Sequence, residues 1–230
     1  IGFDQQALAP TGKATLSFMR NADGDIVTGK AEADSEGLEL MGDIALVSFE
    51  RDHRVLAFGY GLCGSNSLGI EVSRITSSPD SLDRTIPDNA GAEGLVLAND
   101  RLVVGLETVI DGLAPLAVID AQGAPQFEAR NWIDGEGVPL VGLDALGDTV
   151  FSLHRAYNPI SGNTIHIRET SADGMSRRLA KLARPLAVDN FEGIAVGSGP
   201  DGKTRLFIVS DDNFSEKQRT LLFVFELSGS

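Results

Sequence analysis

The sequence predicts an all-β fold, a β-propeller of five blades, and three observations carry that prediction. First, a Glu-Gly-aliphatic core recurs as Glu36-Gly37-Leu38, Glu93-Gly94-Leu95 and Glu192-Gly193-Ile194, with Val141-Gly142-Leu143 as a copy that lacks the acid. Second, the stretches around these copies are short apolar runs rich in Val, Ile, Leu and Phe, separated by turn residues, a pattern of strands rather than helices. Third, thirteen residues after Gly37, Gly94 and Gly142 come Glu50, Glu107 and Arg155, each closing an apolar run. Asp211 holds the same place eighteen residues after Gly193, the longer turn at Gly197–Gly202 making up the difference. A period of roughly 40–50 residues built from strands and turns is that of a propeller blade, a four-stranded meander that buries its faces only by stacking on its neighbours.

The units follow in order within a single domain, residues 1–230. Residues 1–33 read as the outer half of a blade: Ala14–Arg20 alternates, Asn21-Ala-Asp-Gly-Asp25 is a hairpin turn signal, and Asp25–Thr28 is the return strand. The chain opens at Ile1 without a methionine and is expected to begin mid-blade, with six blades as the alternative count. Unit 34–89 has strands at Gly37–Leu40, Ile44–Glu50 and Arg54–Phe58; beyond Tyr60 the pattern loosens, and Ser77–Ser81 reads as loop. Unit 90–138 has strands at Gly94–Ala98, Arg101–Glu107, Leu113–Ile119 and Ala124–Arg130. Unit 139–187 has Leu140–Ala145, Thr149–Leu153 and Thr164–Arg168, then the basic stretch Met175–Leu186 as an outer strand or a short helix. Unit 188–230 has three strands, and a strand from the other end of the chain is expected to complete its blade and close the ring.

Bulk properties narrow the function. Across 230 residues, 42% are hydrophobic and 23% charged, with 26 glycines, as a turn-rich globular chain requires. The formal net charge of −14 argues against nucleic acid or an anionic membrane as a partner. No apolar run approaches the ~20 residues that span a bilayer. The lone cysteine, Cys63, permits no intrachain disulfide.

A repeat places equivalent residues at equivalent heights. Glu36, Glu93 and Glu192 are therefore expected to form one ring on the channel-lining strands. Glu50, Glu107 and Asp211, with Arg155, are expected to form another at the ends of the next strands. Taken singly, each acid better suits a strand-end role, capping backbone N–H groups or pairing with arginine; it is the repeated set that points to a cation or ligand site. Asp211-Asp212-Asn213 reads either as a cation loop or as an Asx-type turn. Of the three histidines, His154 neighbours Arg155 at a strand end and is placed to reach the channel. His53 falls in a turn and is expected to be solvated, and His166 is expected on an outer strand face. There is no Gly-x-Ser-x-Gly elbow, no Cys/His zinc spacing and no phosphate-cradling glycine loop.

Asp189-Asn-Phe-Glu-Gly-Ile-Ala195, Ser210-Asp-Asp-Asn-Phe214 and Gln218-Arg-Thr-Leu-Leu222 together resemble the C-terminal signature of the "esterase-like activity of phytase" family. Asp34–Leu38, Ser48–Arg51 and Asn89–Leu95 are similar to its earlier segments, so the resemblance runs from Asp34 to Leu227. The family's usual Gly-Leu-Ser-Gly-Leu-like opening strand and Ser-Asp-Arg-Gly motif have no counterpart here. The resemblance implies a periplasmic or extracellular protein that hydrolyses phosphate or carboxylic esters, with a small anionic or ester substrate. On that expectation Glu36, Glu50, Glu93, Glu107, Glu192 and Asp211 are candidate ligands for Ca²⁺, a hard cation that takes six to eight oxygens. Glu36, Glu93, Glu192, Arg51, Arg155 and His154 are the candidate catalytic groups, the arginines as clamps on phosphate oxygens. A non-enzymatic binding propeller with a structural cation is the competing reading.

Overall fold

In a computed structural model of the chain, residues 3–4, 6–14, 16–59, 67–75, 86–87 and 89–227 are described. The chain is almost wholly strand. A two-residue ladder, β1 (Phe3–Asp4) with β2 (Ala9–Pro10), and a helical turn α1 (Lys30–Ala33) precede the repeats. Blade one is β3 (Ser35–Met41), β4 (Ile44–Phe49), β5 (Arg54–Gly59) and β6 (Ile70–Arg74). Blade two begins with β7 (Ala92–Ala98) and β8 (Arg101–Leu106). A small ladder follows, β9 (Leu113–Ala114) pairing later with β12 (Ile133–Asp134), and β10 (Leu116–Ile119) and β11 (Pro125–Phe127) complete the blade. Blade three is β13 (Leu140–Leu146), β14 (Thr149–Asn158), β15 (Gly162–Thr170) and β16 (Ser176–Leu182). Blade four has three strands, β17 (Phe191–Ser198), β18 (Thr204–Ser210) and β19 (Leu222–Glu226).

The described residues thus give a propeller arrangement of four blades, where the sequence predicts five. The expected partial blade over 1–33 keeps its turn, Asn21 N–H bonding Asp25 O and Val27 N–H bonding Met19 O, each at 2.9 Å, but the expected strands give only isolated bridges, Arg20 with Ile26 and with Leu68. Among the described residues no sheet covers the alternating run, and Leu16 and Phe18 stand 96% and 64% exposed. Met19 from this segment packs against Phe49, Leu56 and Phe58 of blade one. Among the described residues no strand from the start of the chain completes blade four. Within Met175–Leu186, Ser176–Leu182 forms the outer strand β16 and no helix, and blade one gains β6 in the region where the pattern loosens. The loop expected over 77–81, and Cys63, lie outside the described residues.

Blades stack through three apolar layers. Leu46 and Val55 of blade one meet Leu95 and Val104 of blade two. Val96 and Leu116 meet Leu140 and Leu143 of blade three. Val141, Phe151 and Leu153 meet Phe191, Leu206 and Ile208 of blade four. Side chains alternate between the two faces of a strand, so a strand buried on both faces reads as a continuous apolar run. The inner strands β3, β7, β13 and β17 lie side by side in that order around the axis.

The repeat glycines permit this approach. A Cβ on Gly37 would lie 2.8 Å from Leu95 Cβ in the next blade, and one on Gly142 would lie 2.9 Å from the Glu192 carbonyl oxygen. One on Gly94 would meet Leu143 Cγ at 2.7 Å. Side chains also stitch neighbouring inner strands. Ser48 Oγ accepts from Gly37 N–H and donates to Ala92 O, at 2.9 and 2.7 Å. Glu39 accepts from Leu97 N–H at 2.9 Å, and Asp144 from Val196 N–H at 2.5 Å. Each inner strand is a sheet edge, and these carboxylates occupy edge donors that would otherwise lack partners.

Candidate functional site

One hydrogen bond recurs in every blade at the same end of the axis. The backbone N–H of Glu50 bonds Asp34 O at 2.8 Å, and those of Glu107, Arg155 and Asp211 bond Gly91 O, Pro139 O and Asn190 O, each at 3.0 Å. Each acceptor lies three residues before its repeat glycine. The spacing of thirteen or eighteen residues therefore marks one structural position, the longer β17–β18 turn accounting for the exception.

The same end carries a β-bulge in every inner strand. Pairing slips between Ser35 and Leu38, Ala92 and Gly94, Leu140 and Gly142, and Phe191 and Gly193. Glu93, Val141 and Glu192 are the extra residues, and in blade one Glu36 and Gly37 together take up the slip. A bulge bends its strand and re-aims the side chain it carries. Glu36, Glu93 and Glu192 consequently line one central cavity of about 520 Å³. Its mouth, about 370 Å³, adds Asp211 and Thr220.

The acids crowd there. Carboxylate oxygens of Asp34, Glu36 and Glu50 lie within 4.8 Å of one another, as do those of Glu50, Glu93 and Glu107, so Glu50 belongs to both groups. Burial and like charge act in the same direction on such a cluster. Desolvation first, then the charges of Glu36, Glu107, Glu50 and Glu192, push Glu93 up to about 10. Glu36 keeps open surface toward the channel but is walled on its other sides; desolvation, then Glu50 and Asp34, push it up to about 8. Glu50, Glu107 and Glu192 are raised as well, with burial the leading cause.

Two arginines answer this charge. Arg155 Nη2 stands 3.2 Å from Glu192 Oε1 and 3.5 Å from Glu107 Oε1. Arg51, in the left-handed region at φ 63°, donates from Nε to Asp34 Oδ2 at 2.7 Å. Glu192 also accepts from Asn190 Nδ2 at 2.8 Å. The Asp211–Asn213 segment forms Asx turns, Asp211 Oδ1 accepting from Asn213 N–H and Asp212 Oδ1 from Phe214 N–H.

The histidines differ from expectation. His154 is fully buried inside blade three, its ring nitrogens bonded to Val138 O at 3.0 Å and Ser152 Oγ at 2.9 Å. Burial lowers it to about 4, so it is a neutral structural group that does not reach the channel. His166 is buried opposite it in the sheet rather than on an outer face. His53 is half-buried, its ring packed where Gly91 leaves room. The repeat places Arg155 correctly, but alternation along β14 turns its neighbour His154 to the other side.

Sequence reasoning overlooked three acids. Asp34 joins the cluster, and its signal was its place three residues before Gly37. Glu39 and Asp144 stand two residues after Gly37 and Gly142, in alternate repeats, and the same alignment carries them.

The sequence model of the phytase-like family, described as esterase-like activity of phytase, matches residues 1–214. The chain belongs to the phytase-like family. The match takes in the opening 33 residues, outside the Asp34–Leu227 resemblance, and stops before Gln218–Leu222. No curated protein matches this phytase-like chain. Among solved structures it is similar to exo-β-1,3-galactanase from Phanerochaete chrysosporium with galactose, at 10% identity and a TM-score of 0.59. That match covers 94% of this chain and 51% of the galactanase. The same enzyme with β-1,3-galactotriose gives 10% identity, a TM-score of 0.58 and the same coverage. An endo-arabinase from Bacteroides thetaiotaomicron follows at 11% identity and a TM-score of 0.48, covering 84% of this chain and 74% of its own. The phytase-like chain thus spans about half the length of the galactanase, and likeness at this identity speaks to fold alone.

Proposed function

We propose that this phytase-like propeller is an exported, metal-assisted hydrolase of phosphate or other esters, working at the acidic mouth of its central cavity. The observation that carries the reading is the convergence of Asp34, Glu36, Glu50, Glu93 and Glu107, oxygens within 4.8 Å in two groups sharing Glu50, beside Arg155 and Arg51. An all-carboxylate donor set suits a hard cation such as calcium, and the raised Glu36 and Glu93 mark a site that takes up positive charge, as protons or as an ion. Asp34, Glu36, Glu50, Glu93 and Glu107 would hold the ion. When bound, it would polarise an ester oxygen and acidify an attacking water.

The chain's own groups supply the rest. Arg155, already held by Glu107 and Glu192, presents a guanidinium at the cavity wall where an anionic oxygen can pair with it. Bound cation and arginine together would offset the repulsion that fourteen net negative charges exert on an anionic substrate. The apolar walls, Leu95, Leu143 and Ile194, limit water around the reacting group. Family membership supports the export part of this reading. Among the described residues no helix is long and apolar enough to cross a membrane.

The competing reading, a binding propeller with a structural ion, draws on the internal commitments of Glu192 to Asn190 and of Asp211 to Asn213. Calcium titration combined with hydrolysis of a chromogenic phosphate monoester and a short-chain acyl ester separates the two. Saturable calcium binding with calcium-dependent turnover supports the hydrolase; binding without turnover of either ester supports the structural ion; no binding removes both.

A further inference from the structure

The acids stand at the mouth of the central cavity, and beyond them the cavity runs on as an apolar slot between blade four and blade one. Along β3, Leu38 and Leu40 follow Glu36, with Leu40 roughly 13 Å further on at strand spacing. Gly37 and Glu39 turn toward blade two, where Glu39 accepts from Leu97 N–H, so alternation turns Leu38 and Leu40 the other way, into the slot. Opposite them is the face of blade four that looks away from blade three. There Val209 pairs with Gly193 and Leu222, and Phe207 pairs with Ala195.

This joint is open where its equivalents are closed. Leu38 is 60% exposed, whereas Leu95 and Leu143, at the same place in the repeat, are 1% and 5% exposed and pack where the glycine of the preceding blade leaves room. Leu40, Val209 and Leu222 are 50%, 42% and 42% exposed. Apolar surface gathered in one concavity marks a binding place, and here it is continuous with the carboxylates and faces the same space. Past the mouth, the charged groups that line the slot are Glu39 and Asp144, and both accept from backbone N–H groups of the next blade. No cation is among the described residues that line it, so a second phosphate would meet only carboxylates and hydrocarbon.

We propose that the slot is the subsite for the uncharged side of the ester. The substrate then has one anionic or ester head at the acids and an apolar alkyl or aryl group between Leu38 and Leu40 on one wall and Phe207, Val209 and Leu222 on the other. This assignment rests on the ester-hydrolase reading and narrows its substrate class to amphiphilic esters, excluding polyols that carry several phosphates. A cavity of about 520 Å³ is of the size that holds such a ligand.

The test measures binding to the whole chain by calorimetry, in saturating calcium and in EDTA. The probes are methyl-, butyl-, hexyl- and octylphosphonate, which present the head without a cleavable ester bond, with glucose 6-phosphate as a polar comparison for the hexyl compound. Affinity should rise about two- to fourfold per added methylene, the scale of burying one CH₂, and glucose 6-phosphate should bind no tighter than methylphosphonate. Leu40→Asn and Val209→Asn, at positions already open to water, should each flatten the rise; thermal unfolding checks their fold, and Leu222→Asn replaces either one that fails. Calcium dependence across the series reads the ester-hydrolase proposal, and the slope with chain length reads this one. A flat series whose binding needs calcium overturns the slot and leaves the hydrolase standing, as does glucose 6-phosphate matching hexylphosphonate. A slope that survives in the variants places the alkyl chain elsewhere and also overturns it. Binding that ignores calcium, or no binding at all, removes the hydrolase reading and this substrate class with it.

Discussion

Arg155 reaches Glu192 at 3.2 Å, and that contact joins blade three to blade four across the mouth of the central cavity. The same guanidinium stands 3.5 Å from Glu107 of blade two, so one cation ties three blades at the point where their negative charge is greatest. In the repeat, Arg155 occupies the position that Glu50, Glu107 and Asp211 hold elsewhere. One blade out of four thus supplies the opposite charge at an equivalent height.

Replacing that cation should separate binding from chemistry. Arg155→Met removes a charge that competes with a metal ion for Glu107 and Glu192, so calcium should bind at least as tightly as in the wild type. Phosphate-ester turnover should fall about tenfold or more, the scale of a lost charge-assisted hydrogen bond. Parallel calcium calorimetry and steady-state kinetics check both halves, and a variant that loses calcium binding with its fold intact contradicts the assignment.

The raised carboxylates fix the sign of the pH dependence. A glutamate whose folded pKa lies above its unfolded value holds more protons in the folded state, so stability falls as pH rises between the two. For Glu36 that window runs from 4.5 to about 8, and for Glu93 from 4.5 to about 10. His154, lowered from 6.5 to about 4, costs stability only as pH drops below 6.5. Above that point the acids act alone. Thermal unfolding in EDTA should show Tm falling steadily from pH 6.5 to 9, and calcium should flatten the fall by replacing the missing protons with an ion.

The repeat glycines give a test of blade packing. Gly37→Ala would put its Cβ 2.6 Å from Ser48 Oγ and 2.8 Å from Leu95 Cβ, and should cost about 1–3 kcal/mol through overpacking. Gly197→Ala, in a strand with nothing within 4 Å, should be neutral or slightly stabilising. Chemical denaturation of the two variants measures the difference, and equal losses would remove close inner-strand approach as the reason for the repeat.

The edge-capping acids carry a separate prediction. Asp144→Ala leaves the Val196 N–H without its 2.5 Å partner and should destabilise by about 1–3 kcal/mol. Hydrogen exchange should show the loss first at Val196. Exchange unchanged there would show that water serves the strand edge equally well.

Much of this arrangement is legible in the sequence because a repeat encodes height. Glu36, Glu93 and Glu192 could be placed in one cavity from the Glu-Gly-aliphatic copies alone, since a bulge beside a glycine recurs wherever an inner strand must bend past its neighbour. Asp211 could be aligned despite its longer spacing because the Gly197–Gly202 turn announces the insertion. His154 could not be placed, because its face depends on the pleat of β14, and a neighbour of Arg155 points the opposite way. The fifth blade is not confirmed at residues 1–33, where alternation and a turn signal suit a hairpin but, among the described residues, no adjacent sheet covers Leu16 and Phe18. Glu39 and Asp144 were overlooked for a different reason: their partners are backbone N–H groups of the next blade, which leave no mark on side-chain patterning.

The central claim is that the converging carboxylates hold a cation, and one measurement addresses it most directly: thermal unfolding at pH 8 in EDTA and in rising calcium, for the wild type and for Glu36→Gln/Glu93→Gln/Glu192→Gln. A ligand that binds only the folded state raises Tm with its concentration. The account predicts a calcium-dependent rise in the wild type. It predicts a triple variant more stable than the wild type in EDTA, since glutamine escapes the stability loss that pH 8 imposes through the raised Glu36 and Glu93, and indifferent to calcium. At this chain length each kcal/mol recovered in EDTA corresponds to about 2–4 °C. A triple variant that keeps the full calcium shift, or a wild type that shows none, would contradict it.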